Sequence, residues 1–280
     1  MRKRSGKSEA GSSSTALVRG LQILRAFTPD DTTLGNQDLI ERTGLPKATV
    51  SRLTATLVDL GYLHYDRSLG RYSVGPATVS LGYSALSSNA VVHMARPLMQ
   101  EMAEATGAAV ALGTRDGNEM VYLANCRSHS PVSLQLNVGS RLPIWRTAMG
   151  LAYLVEMSEP ARERLLRAEI AAAPDREASY RALIEEALAC QAEQGFICSF
   201  GRWYSYINAV GVAFRPTDGS PVVALTCGAI VDLLTPERCR DDVGPRFLEL
   251  KAELAERLAG RAGAVASEEG LDSSSSLPRK

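Results

Sequence analysis

The segment 35–74 constrains the fold of this chain more than any other. Gly35 can cap a short helix running to Thr43, with Asp38 favouring its first turn and Gly44 suiting the left-handed position after its last. Leu45-Pro46 then opens a second helix over 46–60, with proline at the first position, where its missing N–H costs nothing. At about 100° per residue, Val50, Leu53, Leu57 and Leu60 share one face. Ala48, Ser51, Arg52, Ala55 and Asp59 share the opposite face, with Lys47 at its edge. Two helices joined by a short glycine-containing turn form a helix-turn-helix. A strand over Gly61–Tyr65, a turn at Asp66–Gly70 and a returning strand over Arg71–Val74 follow at once, so the predicted unit is a winged helix-turn-helix, mainly α with a β-hairpin wing.

A helix enters the major groove through a face of small, polar and cationic residues, because bulk there blocks approach while Ser and Arg reach base edges and phosphates. The candidate DNA contacts are therefore Lys47, Ala48, Thr49, Ser51 and Arg52 on the helix, with Arg67 and Arg71 of the wing placed for phosphates. A solvated helix face and exposed arginines are the plainer reading; the hairpin directly behind the helix favours DNA. Charge agrees. Residues 1–75 carry eleven Lys/Arg against seven Asp/Glu, an excess of +4 in a chain whose net charge is zero, as a polyanion partner would favour.

The run LIERTGLPKATVSRLTATLVDLGYLHYDRSLGRYSVGPATVSLG resembles the DNA-binding domain of IclR-family regulators, through TGLPK-x-TV-x-RL, GYL and the wing RYSVG. Ala77–Ser88 reads as a helix. The resemblance makes it a linker that helps the DNA-binding domains dimerise, and an ordinary core helix is the alternative.

At 280 residues the chain accommodates two domains, each with its own core. The reading assigns 1–13 to a disordered basic tail, 14–76 to the winged helix-turn-helix, 77–90 to the linker and dimerisation helix, 91–262 to an effector-binding domain and 263–280 to a second disordered tail. No apolar run approaches the roughly 20 residues of a spanning helix, and no apolar stretch follows Met1-Arg2-Lys3-Arg4, so a cytoplasmic protein with no membrane partner is expected. Five cysteines without a C-x-x-C and three scattered histidines suggest no disulfide framework, no metal and no cofactor.

Past Val91 the pattern runs helix, strands at Ala109–Gly113 and Met120–Cys126 around a turn at Asp116-Gly117, and a further strand at Ser133–Asn137. Helices follow over Thr147–Met157, Glu159–Ile170 and Tyr180–Gln194, then strands over Ala209–Phe214 and Val222–Ala229 around Asp218-Gly219, and a helix over Pro236–Leu258. Strands flanked by helices at both ends predict an α+β domain with an antiparallel sheet. This order resembles the GAF-like effector domain of the IclR family, with local matches at VGSRLPIWRTAMGLAYL, GFICSFGRW and VVALTCGAI followed by LTPER, so that the resemblance covers about 14–260.

The resemblance implies a pocket between the sheet and the helix opening at PIWRTAMG. It implies Trp145, Thr147, Ala148 and Met149 on the helix side, with Cys198, Trp203 and Cys227 among the returning strands. Tyr204, Tyr206 and Asn208 join by proximity. Trp145 stands where many members carry histidine, and Gly201-Arg202 where many carry acidic residues. Arg202 is therefore expected to make the pocket mouth cationic, and the two tryptophans to add aromatic walls, which points to an aromatic or hydrophobic carboxylate. The plainer readings are core packing for Trp145, surface ion pairs for Arg146 and Arg202, and inert buried thiols for Cys198 and Cys227.

The resulting expectation is a ligand-responsive transcriptional regulator of a catabolic operon. It would bind a pseudo-palindromic double-stranded operator as a dimer or tetramer and sense a small carboxylate. The alternatives are a redox sensor acting through Cys126, Cys198 or Cys227, and a GAF-like enzyme. Against the enzyme, the chain has no G-x-S-x-G, P-loop, G-x-G-x-x-G or H-E-x-x-H.

Overall fold

The computed structural model describes residues 15–130, 134–216 and 220–272 and divides into two units at Ser88/Asn89. The basic tail expected over 1–13 lies outside the described residues, as does Ser14.

The first unit runs α1 (Thr15–Arg25), β1 (Leu34–Gly35), α2 (Asn36–Thr43), α3 (Lys47–Asp59), β2 (Leu63–Asp66), β3 (Arg71–Val74) and α4 (Pro76–Ser87), with an antiparallel sheet in the order β1-β3-β2. The ends of α2 are set as its residues dictate. The Gly35 N–H donates to the Asp38 carboxylate at 2.8 Å, and Gly44, at φ +67, donates to the Ile40 carbonyl at 2.8 Å. Ile23, Leu34, Leu39, Leu45, Val50, Leu57, Leu63 and Tyr72 form the core. Thr54 joins Val50 and Leu57 on the buried face of α3, its hydroxyl donating to the Val50 carbonyl at 2.9 Å beside the Tyr72 hydroxyl. Leu60, expected on that face, is 62% exposed, because it follows the last turn and the chain swings away through Gly61 at φ +75. The sequence left α4 open between linker and core helix. It buries none of its residues, and Val79, Leu81 and Tyr83 are exposed.

The second unit runs α5 (Ala90–Thr106), β4 (Ala109–Asp116), β5 (Glu119–Cys126), β6 (Arg141–Pro143), α6 (Ala148–Glu156), α7 (Glu159–Ala172), a 3-10 turn (Pro174–Arg176) and α8 (Glu177–Gln194). It continues through β7 (Ile197–Phe200), β8 (Ile207–Phe214), β9 (Val223–Ile230), α9 (Pro236–Arg238), a π turn (Cys239–Val243) and α10 (Gly244–Asp272). One antiparallel sheet has the order β6-β5-β4-β9-β8-β7. Leu134–Asn137 is not a strand, contrary to expectation, and β6 occupies that edge; Ser133 lies outside the described residues, as does the expected turn at Asp218-Gly219. The edge strand β7 was not read from the residue pattern, although the resemblance placed its Cys198 among the returning strands. The last helix continues to Asp272, into the segment read as a tail, and 273–280 lie outside the described residues. Among the described residues, no helix is long and apolar enough to cross a membrane.

Side chains alternate across this sheet. Val110, Leu112, Val210, Val212, Leu225 and Cys227 pack with α5 and α10 on one face. Ala111, Met120, Tyr122, Ala213 and Ala224 pack with α6 and α8 on the other. Glycines let α6 approach closely: a Cβ on Gly211 would lie 2.5 Å from the Ala148 carbonyl oxygen, and one on Gly150 would collide with the Ile144 backbone. The ladder between β4 and β5 shifts register between Leu112 and Gly113, pairing Leu112 with Ala124 and Gly113 with Tyr122. This bulge puts Tyr122 and Asn125, three residues apart, on the same side of the sheet.

Candidate functional site

In the first unit, Lys47, Ala48, Ser51, Arg52, Ala55 and Asp59 are exposed along α3, and Thr49 is half-buried at the edge of that face. The face is open because α1, α2 and the hairpin all pack on the opposite side, where Val50, Thr54 and Leu57 are buried. At the wing tip the Asp66 carboxylate accepts from the Ser68 N–H at 2.8 Å and from the Leu69 N–H at 3.2 Å, a local turn that leaves Arg67 exposed. Arg71 behaves differently. β3 pairs it with Gly35, and its guanidinium donates to the Thr33 hydroxyl at 2.9 Å, the Thr33 carbonyl at 3.0 Å and the Asp38 carboxylate at 2.8 Å. The arginine expected to meet phosphate thus ties the wing to the start of α2, whose Asp38 is held below the usual carboxylate range by the Gly35 N–H and by Arg71.

The second unit encloses about 530 Å³ of atom-free space between the sheet and the start of α6, part of it open to solvent. Its walls are mostly apolar: Ala109, Leu134, Leu136, Leu142, Ile207 and Ala209, with Trp203 and the Tyr122 ring. Thr147 caps α6, accepting from the Gly150 N–H at 3.1 Å, and Ala148 and Met149 of the helix's first turn, whose amides have no intrahelical acceptors, are among the residues that line the cavity. Opposite them are Tyr122, Ser199, Thr226 and Asn125. The Asn125 amide N–H donates to the Leu136 carbonyl at 2.6 Å, while its buried Oδ1 has no partner among the described residues. Burial pushes the Tyr122 hydroxyl far above its ordinary range, so it is a neutral hydrogen-bonding group.

Thr147, Ala148, Met149 and Trp203 line this cavity, and the other expected effector residues lie elsewhere. Trp145 is buried against the Tyr180 ring, centroids 5.1 Å apart, on the outer side of α6. Arg202 forms an ion pair with Glu186 in a separate groove on that side. Cys227 shares its face of β9 with Leu225, in the core under α5 and α10, and Cys198 packs against the same core. Asn208 is buried and donates to the Leu234 carbonyl at 2.9 Å. Tyr204 and Tyr206 are about half exposed and stack at 5.5 Å, and Tyr206 borders an adjoining recess. Burial pushes the Cys198 thiol up to about 11 and those of Cys227 and Cys239 to about 12, and raises Cys126 as well, so at neutral pH these groups are protonated. Among the described residues, no cluster of His, Cys, Asp or Glu is placed to hold a metal.

The family model for the IclR helix-turn-helix domain matches residues 16–67, and that for the bacterial transcriptional regulator IclR C-terminal domain matches 83–252. The chain belongs to the IclR family. It is a DNA-binding transcriptional regulator, and its relatives are regulators rather than enzymes. The HTH-type transcriptional regulator TsaQ1/TsaQ2 of Comamonas testosteroni is 33% identical over 249 residues, covering 88% of this chain and 89% of the relative. The Pca regulon regulatory protein of Pseudomonas putida is 29% identical over 253 residues, covering 88% and 84%. An IclR-family regulator from Brucella abortus superposes with a TM-score of 0.81 at 36% identity, covering 91% of this chain and 97% of that one. An IclR homologue from Microbacterium hydrocarbonoxydans, solved in complex with 4-hydroxybenzoate, shares the fold at a TM-score of 0.66 and 20% identity, covering 88% and 100%.

Within this IclR-family chain, sequence reasoning missed Tyr122, Asn125, Leu134, Leu136, Leu142 and Ser199 as cavity lining. Strand alternation could have found Ser199, which lies one residue from Cys198 and hence on the other face. Nothing in the sequence marks the bulge that unites Tyr122 with Asn125.

Proposed function

We propose that this regulator works in the cytoplasm as a homodimer or tetramer, whose paired α3 helices and wings engage a pseudo-palindromic operator and whose second unit binds a small organic carboxylate. The cavity at the first turn of α6 carries this reading: the N-terminal end of a helix favours an anionic group, and the apolar walls with Trp203 and Tyr122 suit an aromatic or hydrophobic body. The exposed apolar residues Val79, Leu81 and Tyr83 of α4, and Leu17 and Leu21 of α1, support self-association of the first unit. Lys47, Thr49, Ser51 and Arg52 read bases and nearby phosphates, and Arg67 reaches phosphate from the wing. The homologue solved with 4-hydroxybenzoate supports an aromatic acid of that kind. The redox alternative is disfavoured because burial suppresses the thiolate form of Cys126, Cys198 and Cys227.

The test is a thermal-shift panel of carboxylic acids, 4-hydroxybenzoate among them, each against its amide. An acid at a hundred times its Kd should stabilise the protein by about 2.7 kcal/mol and change operator affinity. Its amide, lacking a charge-assisted bond worth about 1.5–3 kcal/mol, should bind about ten- to a hundredfold more weakly. A panel in which acids and amides act alike refutes the carboxylate reading.

A further inference from the structure

Outside the cavity, on the other side of α6, a solvent-open groove is lined by Trp145, Arg146, Arg176, Tyr180, Glu186 and Arg202. Three guanidiniums face one carboxylate, so its lining carries a net +2. Trp145 and Tyr180 form an aromatic floor, and the Arg176 guanidinium lies over the Tyr180 ring, 5.0 Å from its centroid. The Tyr180 hydroxyl is spent on Glu169, to which it donates at 3.0 Å. Trp145 is only 6% exposed, and its indole N–H has no acceptor among the described residues. A buried donor left unpaired costs free energy that an incoming acceptor can recover. α8 begins beside the groove, with Ser179 of its first turn in the lining, so its dipole adds positive potential.

We infer that this groove is a second ligand site, for a small dianion bearing carboxylate or phosphate oxygens. Arg176 and Arg202 clamp the anion, and a small opening of the floor brings the Trp145 N–H within reach of it. Glu186 is the internal competitor: it holds Arg202 in the free protein and must yield it when the anion arrives. Occupancy is transmitted to the inner cavity. Arg146 donates to the Trp203 carbonyl at 2.9 Å, and Trp203 lines that cavity; Trp145 and Arg146 directly precede Thr147, the cap of α6. An anion that draws on Arg146 or the Trp145 floor therefore alters the wall and the helix end on which the inner ligand rests.

The chain contains two tryptophans, so in a Trp203→Phe background the indole emission reports Trp145 alone. Succinate and inorganic phosphate are titrated separately into the full-length protein, with chloride and succinamide as controls. Either dianion should change the emission saturably with an apparent Kd of about 1 mM or tighter, while the controls do nothing. Saturation by one dianion and not the other assigns the chemistry. In the same background, Arg176→Gln with Arg202→Gln should weaken binding about tenfold or more, and Glu186→Gln, which removes the competitor, should tighten it severalfold. A gain of affinity is a result that a misfolded variant cannot produce. The inference is overturned if neither dianion saturates. It is also overturned if the double arginine variant keeps the parent affinity, which would place the anion in the inner cavity.

Discussion

Gly211 and Gly228 occupy neighbouring strands on the same side of the sheet, yet alanine should have opposite consequences at the two. A Cβ on Gly211 would sit 2.5 Å from the Ala148 carbonyl oxygen and 2.6 Å from its carbonyl carbon, both rigid backbone atoms at the start of α6. Overpacking of this kind costs about 1–3 kcal/mol. At about 2–4 °C per kcal/mol for a domain of this size, Gly211→Ala should lower Tm by about 2–12 °C. A Cβ on Gly228 meets the Leu134 side chain at 3.4 Å, Ala209 Cβ at 3.7 Å and the Asn208 carbonyl oxygen at 3.8 Å, ordinary contacts at the edge of the cavity. Gly228→Ala should therefore leave Tm unchanged or raise it slightly, since alanine is favoured over glycine within a strand by about 0.5–1 kcal/mol. Its effect should fall on the ligand: one methyl in an apolar pocket changes affinity by about 1–3 kcal/mol, or about ten- to two-hundredfold. Thermal melts of the free variants, followed by calorimetric titration with the best acid from the panel, measure both. If Gly228→Ala destabilises the protein as much as Gly211→Ala, or leaves ligand affinity intact, the cavity is not where the ligand sits.

In operator-binding titrations between 50 and 200 mM salt, Arg67→Ala should lower the slope of log K against log salt by about 0.9 per wing, flattening the salt response about 3.5-fold per contact, with Tm unchanged. Arg71→Ala should instead lower Tm and leave that slope intact; a reduced slope with unchanged Tm would return Arg71 to the phosphate contacts. Raised thiol pKa values favour the folded state below the ordinary value of 9.0, and this stability should be lost as pH rises from about 9 to about 11–12, where the unfolded chain ionises first. Urea unfolding at pH 8 and pH 10 should show the decline, and a variant with Cys198 and Cys239 changed to alanine should show less of it. Tyr83→Glu with Val79→Glu on α4 should leave the second unit folded and raise the dimer dissociation constant by sedimentation; an unchanged constant would move the interface elsewhere.

The DNA-binding unit was legible because its signals are local. Gly35, Asp38, Gly44 and Pro46 bound two helices through cap geometry that depends on a few neighbouring residues, and the period of Val50, Leu53 and Leu57 marks the inner face of α3 without knowledge of what covers it. The internal partners of Arg71 were not legible for the complementary reason: Thr33 and Asp38 lie more than thirty residues away and meet it only through the pairing of β3 with β1. In the second unit the same division holds. The helix over Thr147–Met157 was legible from the chain itself, whereas Thr147, Ala148 and Met149 were placed at the pocket by the resemblance of PIWRTAMG to the family. Sheet parity separates Cys227 from Thr226 and Cys198 from Ser199, sending each thiol into the core and each hydroxyl residue to the cavity. Reading that parity required knowing which face α6 covers. One extra residue in β5 reverses the alternation between Tyr122 and Asn125, and a reversal of that kind belongs to the ladder with β4 rather than to any residue in the strand. Caps and periodicity are properties of a short stretch of chain, whereas register, facing and ion pairing are settled only when distant strands choose their partners.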